Sequence, residues 1–160
     1  MYKFLAYTLL IAVMMMLHAL QADEEAALQA LFQGKRAVNR AAHAAAQQLD
    51  LDKLKEGIIS IDPFAAAAAS SEYLQRNLLL DSALYPLPNS FWRSRAEILV
   101  FEVVNEDRLF PFTYVNSAFN YTVTLERPGV ILIVKLDYPR TFSVLGPISW
   151  EIKGAAELVY

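Results

Sequence analysis

Apolar and polar residues follow three different patterns along this chain. Residues 4–20 (FLAYTLLIAVMMMLHAL) contain no charged residue, no proline and no glycine. Residues 23–55 carry apolar positions three and four apart, a spacing typical of a helix. From residue 97 onward, segments rich in β-branched and aromatic residues indicate strands. The order of these patterns predicts an α+β chain with a long N-terminal helix, a second helix and a C-terminal antiparallel sheet.

The first pattern predicts a transmembrane anchor at residues 1–22. A helix over residues 4–20 spans about 25 Å, close to the thickness of a bilayer's hydrocarbon core. Lys3 precedes the run and three acids follow it at residues 23–25, so we expect a single-pass protein with a cytoplasmic N-terminus and an extracytoplasmic C-terminal domain. The residues expected to contact the lipid membrane are Phe4, Leu5, Leu9, Leu10, Ile11, Val13, Met14, Leu17 and Leu20.

A cleaved signal peptide is the alternative for this segment. Cleavage after Ala22 or Ala19 would leave Leu20 or Leu17 three residues from the new terminus, where a small side chain is expected. The apolar run is also long for a signal peptide. We therefore expect the segment to remain on the mature protein, and secretion after cleavage is the alternative localisation.

Residues 23–56 are predicted to form an amphipathic, Ala-rich helix that continues from the anchor without a break. Residues 23–55 contain no proline and only one glycine, Gly34, so one helix over about residues 2–54 is expected. Its apolar positions follow the alternating spacing of a heptad seam, interrupted by one lysine. The predicted helix-packing interface consists of Leu28, Leu31, Lys35, Val38, Ala42, Ala45 and Leu49.

Residues 57–96 are predicted to hold the second helix and a connecting loop. Gly57 should end the long helix, and Asp62-Pro63 supplies an N-cap and a first-turn proline for a helix over residues 64–80. The side chains of this helix expected to be buried are Phe64, Ala68, Tyr73, Leu74, Leu78 and Leu79.

Residues 97–160 are predicted to form the antiparallel sheet. The expected strands cover residues 97–105, 118–126, 130–138 and 148–160, with Gly154 as a candidate bulge. The third of these (VILIVKLDY) is the most apolar and should be central. Its residues Leu132, Val134 and Leu136 should face the helix. Short turns between the strands favour antiparallel neighbours.

Composition argues against catalysis and nucleic-acid binding. The net charge is −3, the chain has no cysteine, and its two histidines lie on the predicted helix. No nucleophile elbow, phosphate-binding loop or metal-ligand spacing occurs. We expect no catalytic, metal or cofactor-binding residues, no cofactor, no nucleic-acid partner and no small-molecule substrate, and therefore no enzyme.

Two segments resemble one family. Residues 35–46 (KRAVNRAAHAAA) look like the helix that follows the membrane segment in TadE/TadF-type minor pseudopilins of tight-adherence pilus systems. The ending of the chain, with Gly154-Ala155-Ala156 before an apolar close, is similar to that family's last strand. The family usually carries a polar leader and a glutamate early in the apolar run. Only three residues precede Phe4 here and no acid precedes Asp23, so processing by a prepilin peptidase is not expected.

The resemblance implies a bacterial, pilin-like component of a pilus or secretion assembly in the cell envelope. Its partners would be other pilin-like or assembly subunits, bound through the long helix. The alternative is a secreted or membrane-tethered module whose sheet binds a ligand and whose helix is only a tether.

Overall fold

The chain folds into three α-helices and five β-strands. A computed structural model describes residues 2–140 and 146–159. The helices are α1 (Tyr2–Ala46), α2 (Leu51–Lys55) and α3 (Pro63–Leu78). The strands are β1 (Glu97–Val104), β2 (Phe112–Asn116), β3 (Tyr121–Leu125), β4 (Gly129–Tyr138) and β5 (Ile148–Glu157). The predicted α+β class and order of elements are confirmed.

The long helix is shorter than predicted. It ends at Ala46 rather than near residue 54, and α2 is a separate five-residue helix. Asp50 starts α2, because its side chain accepts hydrogen bonds from the backbone N–H groups of Asp52 and Lys53. Between the two helices the backbone pairs with the segment before α3, through a bridge from Leu49 to Ile61. These non-local bonds replace the helical ones and break the helix.

The second predicted helix, α3, begins as expected and turns a different face inward. The Asp62 side chain accepts from the N–H groups of Phe64 and Ala65, and Pro63 occupies the first turn. Leu74 and Leu78 are buried as predicted. Phe64, Ala68, Tyr73 and Leu79 are exposed, and Ala66 and Ser70 are buried in their place. The buried face of α3 therefore combines two small residues in its first half with two leucines in its second half.

The sheet region forms two sheets rather than one. Strand β4 is central in a three-stranded antiparallel sheet with the order β1-β4-β5, as predicted. Strands β2 and β3 form a separate two-stranded sheet, and β2 was not predicted. Gly154 pairs in register with Leu132, so the predicted bulge there is wrong. The irregularity lies in β1 instead, between Ile98 and Val100.

The three-stranded sheet lies between two layers. Its β4 residues Leu132, Val134 and Leu136 belong to the large core shared with α1 and α3, as predicted. On the opposite face, Ile131 belongs to a smaller core with Tyr114 and Leu125 of the two-stranded sheet. Because β4 is covered on both faces, its side chains from Val130 to Val134 are fully buried.

Helix α1 approaches the sheet closely because its facing residues are small. A Cβ atom on Gly34 would lie 2.7 Å from Ile152 Cδ1 and 2.9 Å from Leu136 Cδ1. A Cβ on Gly154 would lie 3.1 Å from Val38 Cγ1. Both glycines therefore sit where the helix and the sheet leave little room for a side chain.

Candidate functional site

The first half of α1 projects from the folded domain. Its apolar side chains are exposed, and an 18-residue window of the helix has a mean hydropathy of 1.8 with none of its residues buried. By length and composition, this helix can span a membrane or serve as a signal sequence. Of the predicted lipid-contacting residues, Leu20 is partly buried, and the exposed ones are Phe4, Leu5, Leu9, Leu10, Ile11, Val13, Met14 and Leu17.

The second half of α1 is buried, along a seam of small residues. The buried residues recur three or four positions apart, as the predicted heptad seam did. In its lower part the seam is shifted by one residue, to Ala27, Ala30 and Gly34. The structure leaves Leu28 55% exposed and Lys35 exposed, with Leu31 partly buried.

In its upper part the predicted seam is covered by other elements of the same chain. Val38, Ala42 and Ala45 have no solvent exposure, and Leu49 is partly buried. The prediction that they contact another protein is therefore wrong for Val38, Ala42 and Ala45, because the chain's own sheet and α3 cover this part of α1.

An open cleft runs between α1 and the outer edge of β5. Its upper part has a volume of about 520 Å³ and its lower part about 360 Å³. Phe32, which is 55% exposed, borders it on the helix side. Leu31 and Trp150 line both parts. Apolar residues from both elements line the cleft, with Glu24 and Arg140 at its lower end. Its upper part also has polar and charged lining residues, which are Lys35, Ser149, Glu151 and Lys153.

A buried ion pair joins α1 to the end of β4 just above the predicted anchor. Asp23 is 1% exposed, and its Oδ2 lies 3.0 Å from Arg140 Nη1. The Tyr138 hydroxyl donates to Asp23 Oδ1 at 3.2 Å. Sequence analysis used Asp23 only as a charge that orients the anchor, because its partners lie more than a hundred residues away. Glu24 and Glu25, by contrast, are exposed.

Aromatic rings stack beside this ion pair. The Tyr138 ring lies 5.6 Å from the Phe91 ring and 5.8 Å from the Trp150 ring, and both pairs are stacked. Trp92 is buried beside them, with its ring edge-on to Phe91. The end of the domain nearest the anchor is therefore aromatic.

A second ion pair lies at the opposite end of the domain. Lys53 of α2 donates a hydrogen bond to Glu106, in the turn after β1. This bond holds the pKa of Glu106 below its usual value and raises the pKa of Lys53. Both side chains are partly exposed, so the pair is a solvated contact between two surface segments.

Within residues 2–140 and 146–159, no group of three His, Cys, Asp or Glu side chains is placed to hold a metal ion. His43 is exposed on α1. Burial, and to a smaller extent the neighbouring Tyr114, raises the pKa of Tyr121, the first residue of β3. The surfaces described above are largely apolar and aromatic.

The fold and the site together define a pilin-like architecture: a long helix with an apolar first half, whose second half packs on an antiparallel sheet. Comparison with protein-family models, curated proteins and solved structures finds no match for this chain.

Proposed function

We propose that the protein is a non-enzymatic structural or assembly component of a pilus-like system in the cell envelope. Residues 4–20 would cross the membrane, and the α+β domain would face outward. The observation that carries this proposal is the contrast within α1, whose first half is apolar and exposed and whose second half is packed into the domain. The resemblance of residues 35–46 to the TadE/TadF-type pseudopilins points in the same direction.

The surface proposed for partner subunits is the exposed side of α1 just above the membrane. Leu28 and Phe32 are each 55% exposed although they are large and apolar, and they lie one helical turn apart. Lys35 follows on the same side and is exposed. An apolar stripe with a charged residue beside it suits a second helix, and the charge would restrict the register or the choice of partner.

Cross-linking of intact membranes tests the partner surface. We expect wild-type protein to give discrete cross-linked species with pilin-like subunits or further copies of itself. Phe32→Glu should abolish these species while the outer domain keeps its circular dichroism spectrum. Leu109→Glu is the matched control, because Leu109 is 92% exposed and lies away from α1, between β1 and β2. Species that survive Phe32→Glu would contradict this surface.

Membrane fractionation with N-terminal sequencing tests the anchor. We expect the full-length chain in the membrane fraction with Met1 or Tyr2 at its terminus. A soluble product beginning near Asp23 would instead identify a signal peptide. That result, together with cross-linked species that survive Phe32→Glu, would favour the alternative of a secreted binding module.

A further inference from the structure

The end of the outer domain nearest the anchor presents a surface made of Phe91, Arg140, Pro147, Ile148 and Trp150, which we call the basal surface. Phe91 is 42% exposed and Pro147 is exposed, whereas the other three are partly buried. We propose that the basal surface lies in the phospholipid headgroup layer, so that the outer domain contacts the bilayer through its own side chains. This placement rests on the proposed membrane anchorage of α1 and adds a second contact with lipid.

The depth of the basal surface follows from its bonds to α1. Asp23 lies three residues after Leu20, which is a rise of about 4.5 Å along a helix. The headgroup layer on each side of a bilayer is roughly 5–7 Å thick. The Arg140 side chain bonds to Asp23 at 3.0 Å and, through Nε, to the Gly146 carbonyl at 2.8 Å. The residues attached to Asp23 therefore lie at the depth of the headgroups when residues 4–20 fill the hydrocarbon core.

The domain is also held firmly at this height. Helix α1 is one continuous element from Tyr2 to Ala46, without an interruption between the anchor and the domain. Close contacts at Gly34 and Gly154 and the buried Asp23–Arg140 pair join it to the sheet. Because the helix enters the domain without a flexible linker, the bilayer position of the anchor sets the position of the basal surface.

The chemistry of the basal surface suits a phospholipid headgroup layer. Tryptophan and other aromatic rings with one polar edge are favoured at the membrane–water interface. The Tyr138 hydroxyl bonds to Asp23, and the Phe91 and Trp150 rings stack on the Tyr138 ring. Arg140 adds a cation to this surface, although its guanidinium is bonded to Asp23 and Gly146. Glu24 and Glu25 are exposed beside them, so the surface is not strongly cationic. Zwitterionic phospholipids are therefore the expected partner, without a requirement for anionic ones.

Site-directed spin labelling of the full-length chain can measure this depth. The chain has no cysteine, so each introduced cysteine is the only labelling site. Pro147→Cys reports on the basal surface. Leu51→Cys, at an exposed position beyond the far end of α1, is the control for the aqueous phase. Leu10→Cys reports on the anchor. Each labelled protein is placed at one copy per phosphatidylcholine nanodisc.

Collision with two relaxing agents distinguishes lipid from protein as the covering material. Molecular oxygen concentrates in lipid, and a neutral nickel chelate stays in water. At Pro147 we expect nickel collisions to be severalfold lower than at Leu51, with oxygen collisions equal or higher. A fall in both would mean that protein covers the site, and it would overturn the proposal. Equal accessibility of Pro147 and Leu51 would also overturn it.

The anchor reporter separates failure of this inference from failure of the proposed function. If Leu10 is shielded from nickel and Pro147 is not, the anchor stands and the basal contact is wrong. If Leu10 is accessible, both are wrong. Adding Phe91→Ser to the Pro147 reporter tests the aromatic contribution, since removal of an exposed ring should raise nickel collisions toward the Leu51 value. An unchanged value would exclude Phe91 from the contact.

Discussion

The two halves of α1 belong to one unbroken helix and are both mainly apolar, yet they have opposite surroundings. The first half carries large side chains such as Leu9, Leu10 and Ile11, and they are exposed. The second half carries alanine and glycine on its buried face, and the sheet and α3 cover it. The difference shows that side-chain size, as well as hydrophobicity, matters where α1 approaches the sheet closely. Small residues allow the sheet to approach the helix closely, whereas a helix that is apolar around its whole circumference needs cover on every side, from protein or from lipid.

The largest expected effect comes from disrupting the cover over the second half. Val134→Asp would place a carboxylate at a fully buried position of β4 that faces α1. We expect the free energy of unfolding of the outer domain to fall by about 4 kcal/mol or more, which is enough to unfold a marginally stable domain. Urea titration of the protein in detergent, followed by tryptophan fluorescence, measures this.

A matched control is Val115→Asp, because Val115 is 67% exposed on β2. That variant should unfold close to the wild-type midpoint. If Val134→Asp also unfolds there, the packing of β4 against α1 is not what covers the helix.

The next largest effect is expected at the boundary between the halves. Asp23→Ala removes the carboxylate that pairs with Arg140, whose side chain is only 16% exposed. Leaving a mostly buried guanidinium without this partner should cost about 3 kcal/mol. Glu24→Ala, at the exposed neighbouring position, should change stability little. Equal midpoints for these two variants in the same titration would contradict a stabilising role for the pair.

A third prediction compares the two halves directly by making the same Ala→Leu change in each. Ala42→Leu adds a bulky side chain at a position without solvent exposure, and overpacking of this kind should cost about 2 kcal/mol. Ala12→Leu makes the same change in the exposed half and should leave the unfolding of the outer domain unchanged. A similar cost in both halves would remove the contrast.

The smallest expected effect concerns Lys53 and Glu106, beyond the end of α1. The folded-state pKa of Glu106 is lowered, so its stabilisation is fully present above the unfolded pKa near 4.5 and is lost as the pH falls through the lower folded value. The folded-state pKa of Lys53 is raised, so its stabilisation is present below about 10.5 and is lost as the pH rises through the higher folded value.

Thermal unfolding across pH tests this pair. Glu106→Gln should reduce the fall in stability at acid pH, and Lys53→Met should reduce the fall at alkaline pH. The change in stability of the double variant should equal the sum of the changes in the two single variants, apart from the coupling energy of the pair. Unchanged pH profiles in all three would show that the contact does not contribute.

Much of the fold could be predicted from local pattern. The absence of a helix breaker predicted α1, the Asp62-Pro63 pair predicted the start of α3, and the apolar run at residues 130–138 predicted the central strand. Strand β2 was missed although four of its five residues (FTYVN) are aromatic or β-branched, a signal that could have found it. It is only five residues long.

The end of α1 could not be predicted in the same way. Residues 44–48 are Ala and Gln, which favour a helix, so nothing local marks an end at Ala46. The break arises because Asp62 N–H donates to the Gln48 carbonyl and Asp50 N–H donates to the Ser60 carbonyl. These bonds form only when the chain has already folded back.

The candidate site was predicted in part for a related reason. The sequence alone determined the apolar anchor, the heptad spacing of α1 and the alternation of the strands, because each depends on neighbouring residues. Spacing cannot choose between two adjacent registers, and only the tertiary structure placed Ala27, Ala30 and Gly34, rather than Leu28, Leu31 and Lys35, against the sheet. The small residues face the sheet because the sheet approaches the helix too closely for large ones. The tertiary structure also paired Asp23 with Arg140, since contacts between distant residues depend on the folded path of the chain.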